Sequence, residues 1–114
     1  MSREFDEEQI FKALASGTRR QILDQLKDYP QTTGELCDIF PSLDRCTVMQ
    51  HIGVLEEAGL VIAQRKGRNR WNYLNALPIK HIYDRWIGEY AEHAVEILSE
   101  LHKDLEAPGI GARD

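Results

Sequence analysis

The sequence has only two cysteines, Cys37 and Cys46. That is too few for a disulfide scaffold, and too few for a four-ligand zinc site built from cysteine alone. No apolar run approaches the ~18 residues of a membrane span, so no membrane partner is expected. The opening residues MSREFDEEQ are acidic and polar, where a secretory signal would be basic and then apolar. A soluble, cytoplasmic protein is expected. The chain also lacks a Gly-rich phosphate loop, a nucleophile elbow and a metalloprotease helix motif, and its scattered Asp, His and Ser residues form no local triad. An enzyme is not expected, and no cofactor or metal is called for. Positive charge is scarce as well, with a formal net charge of -5.

The 114 residues are 42% hydrophobic and 29% charged, a balance that folds rather than stays disordered. There is no internal repeat and no low-complexity tract. We expect a single domain over residues 1–107 and a disordered tail over 108–114. The scarcity of positive charge is an average. Residues 41–73 carry five cations against three acids, and residues 61–75 hold Arg65, Lys66, Arg68 and Arg70 with no acid. Binding to a polyanion depends on the potential at the docking face, which whole-chain charge does not report.

The local signals give a mainly helical chain with one small hairpin. A first helix is expected from about Phe5 to Ala15, with Asp6, Glu7 and Glu8 at the positive end of its dipole. Ser16 can cap a second helix to about Lys27, on which Ile22, Leu23 and Leu26 share a face; Tyr29-Pro30-Gln31 breaks it. Thr32-Thr33-Gly34-Glu35 has capping-box spacing and opens a short helix to about Phe40. After the turn at Pro41-Ser42-Leu43, Asp44 can cap a helix over about 45–58. Its inner face is Val48, Ile52 and Leu55, and Gly59 suits the left-handed position that ends it. Two extended segments follow, about 60–65 and 70–75, joined through Gly67.

The last element is long. Ile79, Ile82, Tyr83, Trp86, Ile87, Tyr90, Ala94, Ile97, Leu98, Leu101 and Leu105 recur every three or four residues. Such a helix would run about 40 Å at 1.5 Å per residue, against a radius of gyration of about 13 Å for a globule of this size. Part of its apolar stripe must pack on something other than its own domain, and a second copy is the economical partner.

A short helix, a tight turn and a second helix form a helix-turn-helix, and the basic hairpin behind it forms a wing. The stretches LASGTRRQIL (14–23), ELCDIF (35–40), TVMQHIGVLEEAGLV (47–61) and RKGRNRWNYL (65–74) resemble the ArsR/SmtB family of bacterial winged-helix repressors. The resemblance implies a winged helix-turn-helix with a long C-terminal dimerisation helix, and a homodimer on double-stranded DNA with a palindromic operator. The DNA-contacting residues would be Arg45, Cys46, Thr47, Met49, Gln50 and His51 on the recognition helix, and Lys66, Arg68 and Arg70 on the wing. His51 either touches a phosphate or serves packing, while Arg19 and Arg20, at the start of a helix, are read as structural. The interface would take Phe5, Ile10 and Phe11 from the first helix, and Ile82, Trp86, Tyr90, Ala94, Ile97 and Leu101 from the last.

The departures from the family pattern bear on function. Ser16-Gly17 stands where Asp-Pro is frequent. Met49-Gln50-His51-Ile52 replaces the usual Ser-Arg-His-Leu, which alters base preference and leaves the docking geometry alone. Both family metal sites are incomplete. Cys37 stands alone, with Ile39 in place of a second cysteine; His93 and Glu96 form half of a C-terminal site whose other positions hold Lys80 and Ile82. The chain therefore looks most like the branch without a metal site, and no residue pattern specifies an effector. Two other readings have definite signatures. A thiol-responsive repressor would use Cys46, in the first turn of the recognition helix, where the dipole lowers the thiol pKa. A winged helix that binds only proteins would have a wing without cations, the opposite of this one.

Overall fold

The computed structural model describes residues 5–106, so the expected tail over 108–114 lies outside the described residues. The chain divides into two compact units at His81/Ile82. The first unit runs α1 (Glu7–Leu14), α2 (Gly17–Leu26), β1 (Gln31–Thr32), α3 (Thr33–Ile39), α4 (Arg45–Glu57), β2 (Val61–Lys66), β3 (Asn69–Leu74) and α5 (Leu77–Ile82), whose last residue opens the second unit. The second continues through a π-helical turn (Tyr83–Ile87) into α6 (Gly88–Glu106).

Every helix of the helix-turn-helix starts at a side chain that accepts an otherwise unpaired backbone N–H. Ser16 Oγ accepts from Arg19 N at 3.2 Å, and Asp44 Oδ1 from Thr47 N at 2.7 Å. Thr32 and Glu35 complete the capping box, 3.1 Å one way and 3.0 Å the other. The end of α4 is equally defined. Gly59 has φ +80°, Gly59 N donates to Glu56 O at 3.0 Å, and Leu60 N donates to Leu55 O at 2.9 Å. This is the Schellman closure, and its accompanying apolar pair, Leu55 and Leu60, is fully buried. The helix therefore has a fixed length and presents a fixed set of side chains.

The core of the first unit is Ile10 and Ala13 from α1, Ile22, Leu23 and Leu26 from α2, Leu36 from α3, Val48, Ile52 and Leu55 from α4, and Leu60 and Val61 after it. Ile10, expected at the dimer interface, is 0% exposed, and Ile82, also expected there, is 2% exposed. Both expectations are corrected: these side chains have no surface left for another copy. The physical reason at Ile10 is helical spacing, since adjacent residues cannot share one face and it is Phe11 that turns outward.

The hairpin pairs β2 with β3 from Val61↔Leu74 to Lys66↔Asn69. Only Gly67 and Arg68 remain as its loop, with Gly67 at φ +62°, the first-position glycine of a type II′ turn. β1 adds a third strand beside β3, in the order β1-β3-β2. The sequence reading treated residues 29–31 only as a break. The strand is locked by Asn72, 0% exposed, whose Nδ2 donates to Gln31 O at 3.1 Å and to Thr33 Oγ1 at 3.2 Å. The wing is thereby fastened to the start of α3.

In the second unit α6 has no buried residue among its 19. The π-helical turn closes with Gly88 N donating to Tyr83 O, and the Trp86 and Tyr90 rings stack at 5.9 Å with the Arg85 guanidinium over the Trp86 face.

Candidate nucleic-acid interface

On α4 the core residues Val48, Ile52 and Leu55 define one face, so at 3.6 residues per turn Cys46 and Gln50 occupy the opposite one, and both are exposed. Arg45, Met49 and Glu56 lie on one flank; Thr47 and His51 lie on the other. These are the positions from which a helix seated in a major groove meets base edges at its centre and phosphates at its flanks.

The first flank faces the wing. Arg45 and Met49 line a cleft of about 200 Å3 together with Arg65, Arg68, Asn69 and Arg70 of the wing and Thr32, Thr33 and Gly34 from the start of α3. Four guanidinium groups thus border one depression. The cross-strand pairing Arg65↔Arg70 sets two arginines directly opposite one another on the hairpin, and like charges so placed repel. Arg70 is partly relieved by an ion pair with Glu56 on α4, which ties the wing to the recognition helix. Arg65 and Arg68 have no such partner among the described residues, and Lys66 is exposed at the last rung of the hairpin.

The second flank faces α2. The Arg19 guanidinium donates from Nε to Ala13 O at 2.8 Å and from one terminal nitrogen to Lys12 O at 3.0 Å, capping the last turn of α1. Its other terminal nitrogen lies 3.1 Å from His51 Nδ1. Burial and the Arg19 charge both hold the His51 pKa below the ordinary value of 6.5, with burial the larger cause. At the head of α4, Asp44 is held below the ordinary carboxylate value by the hydrogen bonds it accepts from Thr47, so the cap stays ionised. Arg20 donates to Leu14 O at 2.7 Å. The structural reading of Arg19 and Arg20 is in accord with these contacts.

Of the residues proposed from sequence for DNA contact, the structure gathers Arg45, Met49, Arg68 and Arg70 in one cleft and leaves Cys46 and Gln50 exposed beside it. Thr47 is half-buried, with its backbone N–H committed to Asp44, and His51 is half-buried against Arg19. The sequence reading omitted Arg65, Asn69 and the Thr32–Gly34 segment. Arg65 could have been added from its place in the basic stripe; the other segment is brought to the cleft only by the β1–β3 pairing. Both cysteines are free thiols. Among the described residues no group of three His, Cys, Asp or Glu side chains is close enough to hold a metal, and no helix is long and apolar enough to cross a membrane.

A capped helix-turn-helix backed by a three-stranded sheet with a cationic hairpin is the architecture of a winged-helix DNA-binding protein. A family model for a helix-turn-helix domain matches residues 14–63. The HTH-type transcriptional regulator YuzN of Bacillus subtilis is 39% identical over 84 residues, covering 68% of this chain and 91% of that protein. The transcriptional repressor SdpR of the same organism is 33% identical over 66 residues, 58% of this chain and 72% of that one. The crystal structure of an ArsR family transcriptional regulator, RHA00566, superposes with a TM-score of 0.67 at 33% identity, covering 75% of this chain and 86% of its own. The chain belongs to the ArsR-type winged helix-turn-helix family and is a DNA-binding transcriptional regulator.

Proposed function

We propose that this regulator is a cytoplasmic homodimeric repressor that binds an inverted-repeat operator. The observation that carries the reading is the convergence of Arg45, Arg65, Arg68 and Arg70 on one cleft beside the exposed face of α4. The α4 face enters the major groove, with Gln50 placed for the bidentate contact that an amide makes to adenine. The cleft receives the sugar-phosphate strand at the edge of that groove, and Lys66 and Arg68 at the tip of the wing follow the backbone. Twofold symmetry sets the half-sites about 10 base pairs apart, or a small multiple of that. Repression follows from occupying DNA that the polymerase needs.

The second copy is called for by α6. Tyr90, Ile97, Leu98, Leu101 and Leu105 are each 50–60% exposed on this helix, a contiguous apolar face of the kind that soluble proteins cover by association. The interface proposed here therefore takes Trp86, Tyr90, Ala94, Ile97 and Leu101 from the second unit and Phe5 and Phe11 from the first, and omits Ile10 and Ile82. Phe5 is partly engaged within its own unit, 5.2 Å from the His81 ring.

The test is selection of randomised duplex DNA by the purified protein, followed by fluorescence anisotropy on the enriched sequence across a salt series. An inverted repeat with a steep salt slope is the expected outcome. Absence of enrichment under reducing conditions, with metal both supplied and chelated, would overturn the operator reading.

A further inference from the structure

Arg19 and His51 lie 32 positions apart in sequence, yet the guanidinium nitrogen and the imidazole Nδ1 meet at 3.1 Å. Arginine has donors only and keeps its proton, so the ring nitrogen facing it must be the acceptor. A neutral imidazole accepting at Nδ1 carries its hydrogen at Nε2, on the far side of the ring. Nε2 of this half-buried ring has no hydrogen-bond partner among the described residues and is not one of the fully buried unpaired atoms, so its N–H stays available to an outside acceptor. It does so on the flank of α4 opposite the wing.

We propose that Arg19 is a positioning residue for DNA binding: it fixes His51 as the Nε2–H tautomer and so presents one outward hydrogen-bond donor to a DNA phosphate on the α2 side of the recognition helix. The proposal rests on the seating of α4 in the major groove. It gives the helix a phosphate donor on each flank, the guanidinium cleft on one side and the imidazole N–H on the other. The two Arg19 bonds to the Lys12 and Ala13 carbonyls hold the fork in place, which makes the imidazole contact a rigid one. A lysine at this position would keep the charge and lose the fork. The charged group facing His51 is Arg19 from α2. The end of α1 contributes only carbonyls, through Arg19, and Thr47 on α4 does not titrate.

Two variants and two readouts test this. His51→Asn keeps a side-chain carbonyl where Nδ1 stood, able to accept from Arg19, and being shorter it has no donor where Nε2 stood, its NH2 falling at the Cδ2 position. It should unfold at the wild-type temperature and bind the selected operator about tenfold more weakly at every pH, the worth of a hydrogen bond to a charged group. Arg19→Lys should leave His51 as a mixture of tautomers in the long-range proton–nitrogen spectrum of the ring. Its operator affinity should be about tenfold lower at about pH 8 and recover towards about pH 6, because an imidazolium donates from both nitrogens. A purely structural role for Arg19 would lower affinity without moving the tautomer or the pH profile.

An Nδ1–H ring in the free wild-type protein overturns the proposal and needs no variant to fold. Wild-type affinity in His51→Asn overturns the phosphate contact while leaving the operator reading intact. If the wild-type protein enriches no DNA, the groove seating fails and takes the phosphate contact with it.

Discussion

Residues 5–81 and residues 82–106 are both written with helical apolar periodicity, yet only the first set closes on itself. In the first unit the periodic residues Ile22, Leu26, Val48, Ile52 and Leu55 are all buried. In α6 the same periodicity leaves no residue buried. Periodicity says which face of a helix is apolar; it does not say what covers that face. Where several short helices lie close in sequence, they cover one another, and capping residues fix where each one starts. The 19-residue α6 has no buried residue, and the proposed second copy would supply the cover for its apolar face.

The strongest way to break this contrast is to place charge on the α6 stripe. Ile97→Glu combined with Leu101→Glu should convert a dimer into a monomer in sedimentation velocity. Operator affinity should fall about a hundredfold or more, because the second half-site is no longer bound intramolecularly. The first unit should be untouched, with its unfolding transition unchanged. A wild-type chain that sediments as a monomer at the concentration where it binds operator would end the dimer reading.

The opposite experiment acts on the closed unit. Leu55→Ala removes a fully buried side chain at the junction of α4 with its Schellman closure, and should cost about 2–5 kcal/mol in denaturant unfolding. The association state of the folded fraction should not change. A loss below about 1 kcal/mol would show that this core relaxes around the gap, and that the register of α4 is less fixed than its caps suggest.

The two flanks of α4 can be separated in the same way. Arg68→Ala should weaken binding to all sequences alike and lower the salt slope by about one counterion per removed phosphate contact, twice per dimer. Arg70→Ala should behave differently. It frees Glu56 and loosens the wing from α4, so the affinity lost should exceed the change in slope. Identical slopes for both variants would assign Arg70 to phosphate after all.

Much of this architecture was legible because it is local. Ser16, Thr32, Glu35 and Asp44 announce helix starts within three residues, Gly59 and Gly67 mark the required turns, and the basic stripe 65–70 sits on a single hairpin. The parts that escaped are non-local. β1 is two residues long and has no alternation to reveal it; it exists because β3 lies beside it and Asn72 reaches across 41 positions to Gln31. The Glu56–Arg70 tie and the Arg19–His51 contact join residues whose spacing in sequence carries no helical or strand period. Ile10 was misplaced for a related reason: Ile10 and Phe11 are both apolar, and only the packed core decides which one turns inward.

The smallest expected effect is a pH dependence of folding that isolates His51. Its pKa is lowered in the folded protein, first by burial and then by Arg19, whereas the unfolded chain titrates near 6.5. As pH falls below 6.5 the unfolded state takes up a proton that the folded state resists, so stability declines as pH approaches the folded value. The contribution is therefore fully present above 6.5, is lost through the interval below it, and levels off once both states are protonated. The stability difference between wild type and His51→Asn, measured by denaturant unfolding at stepped pH, should be flat above that interval and move against the wild type within it. Other titrating groups cancel in the difference. A difference that is level across the whole range would mean that the folded imidazole titrates like a free one, and that Arg19 does not restrain it.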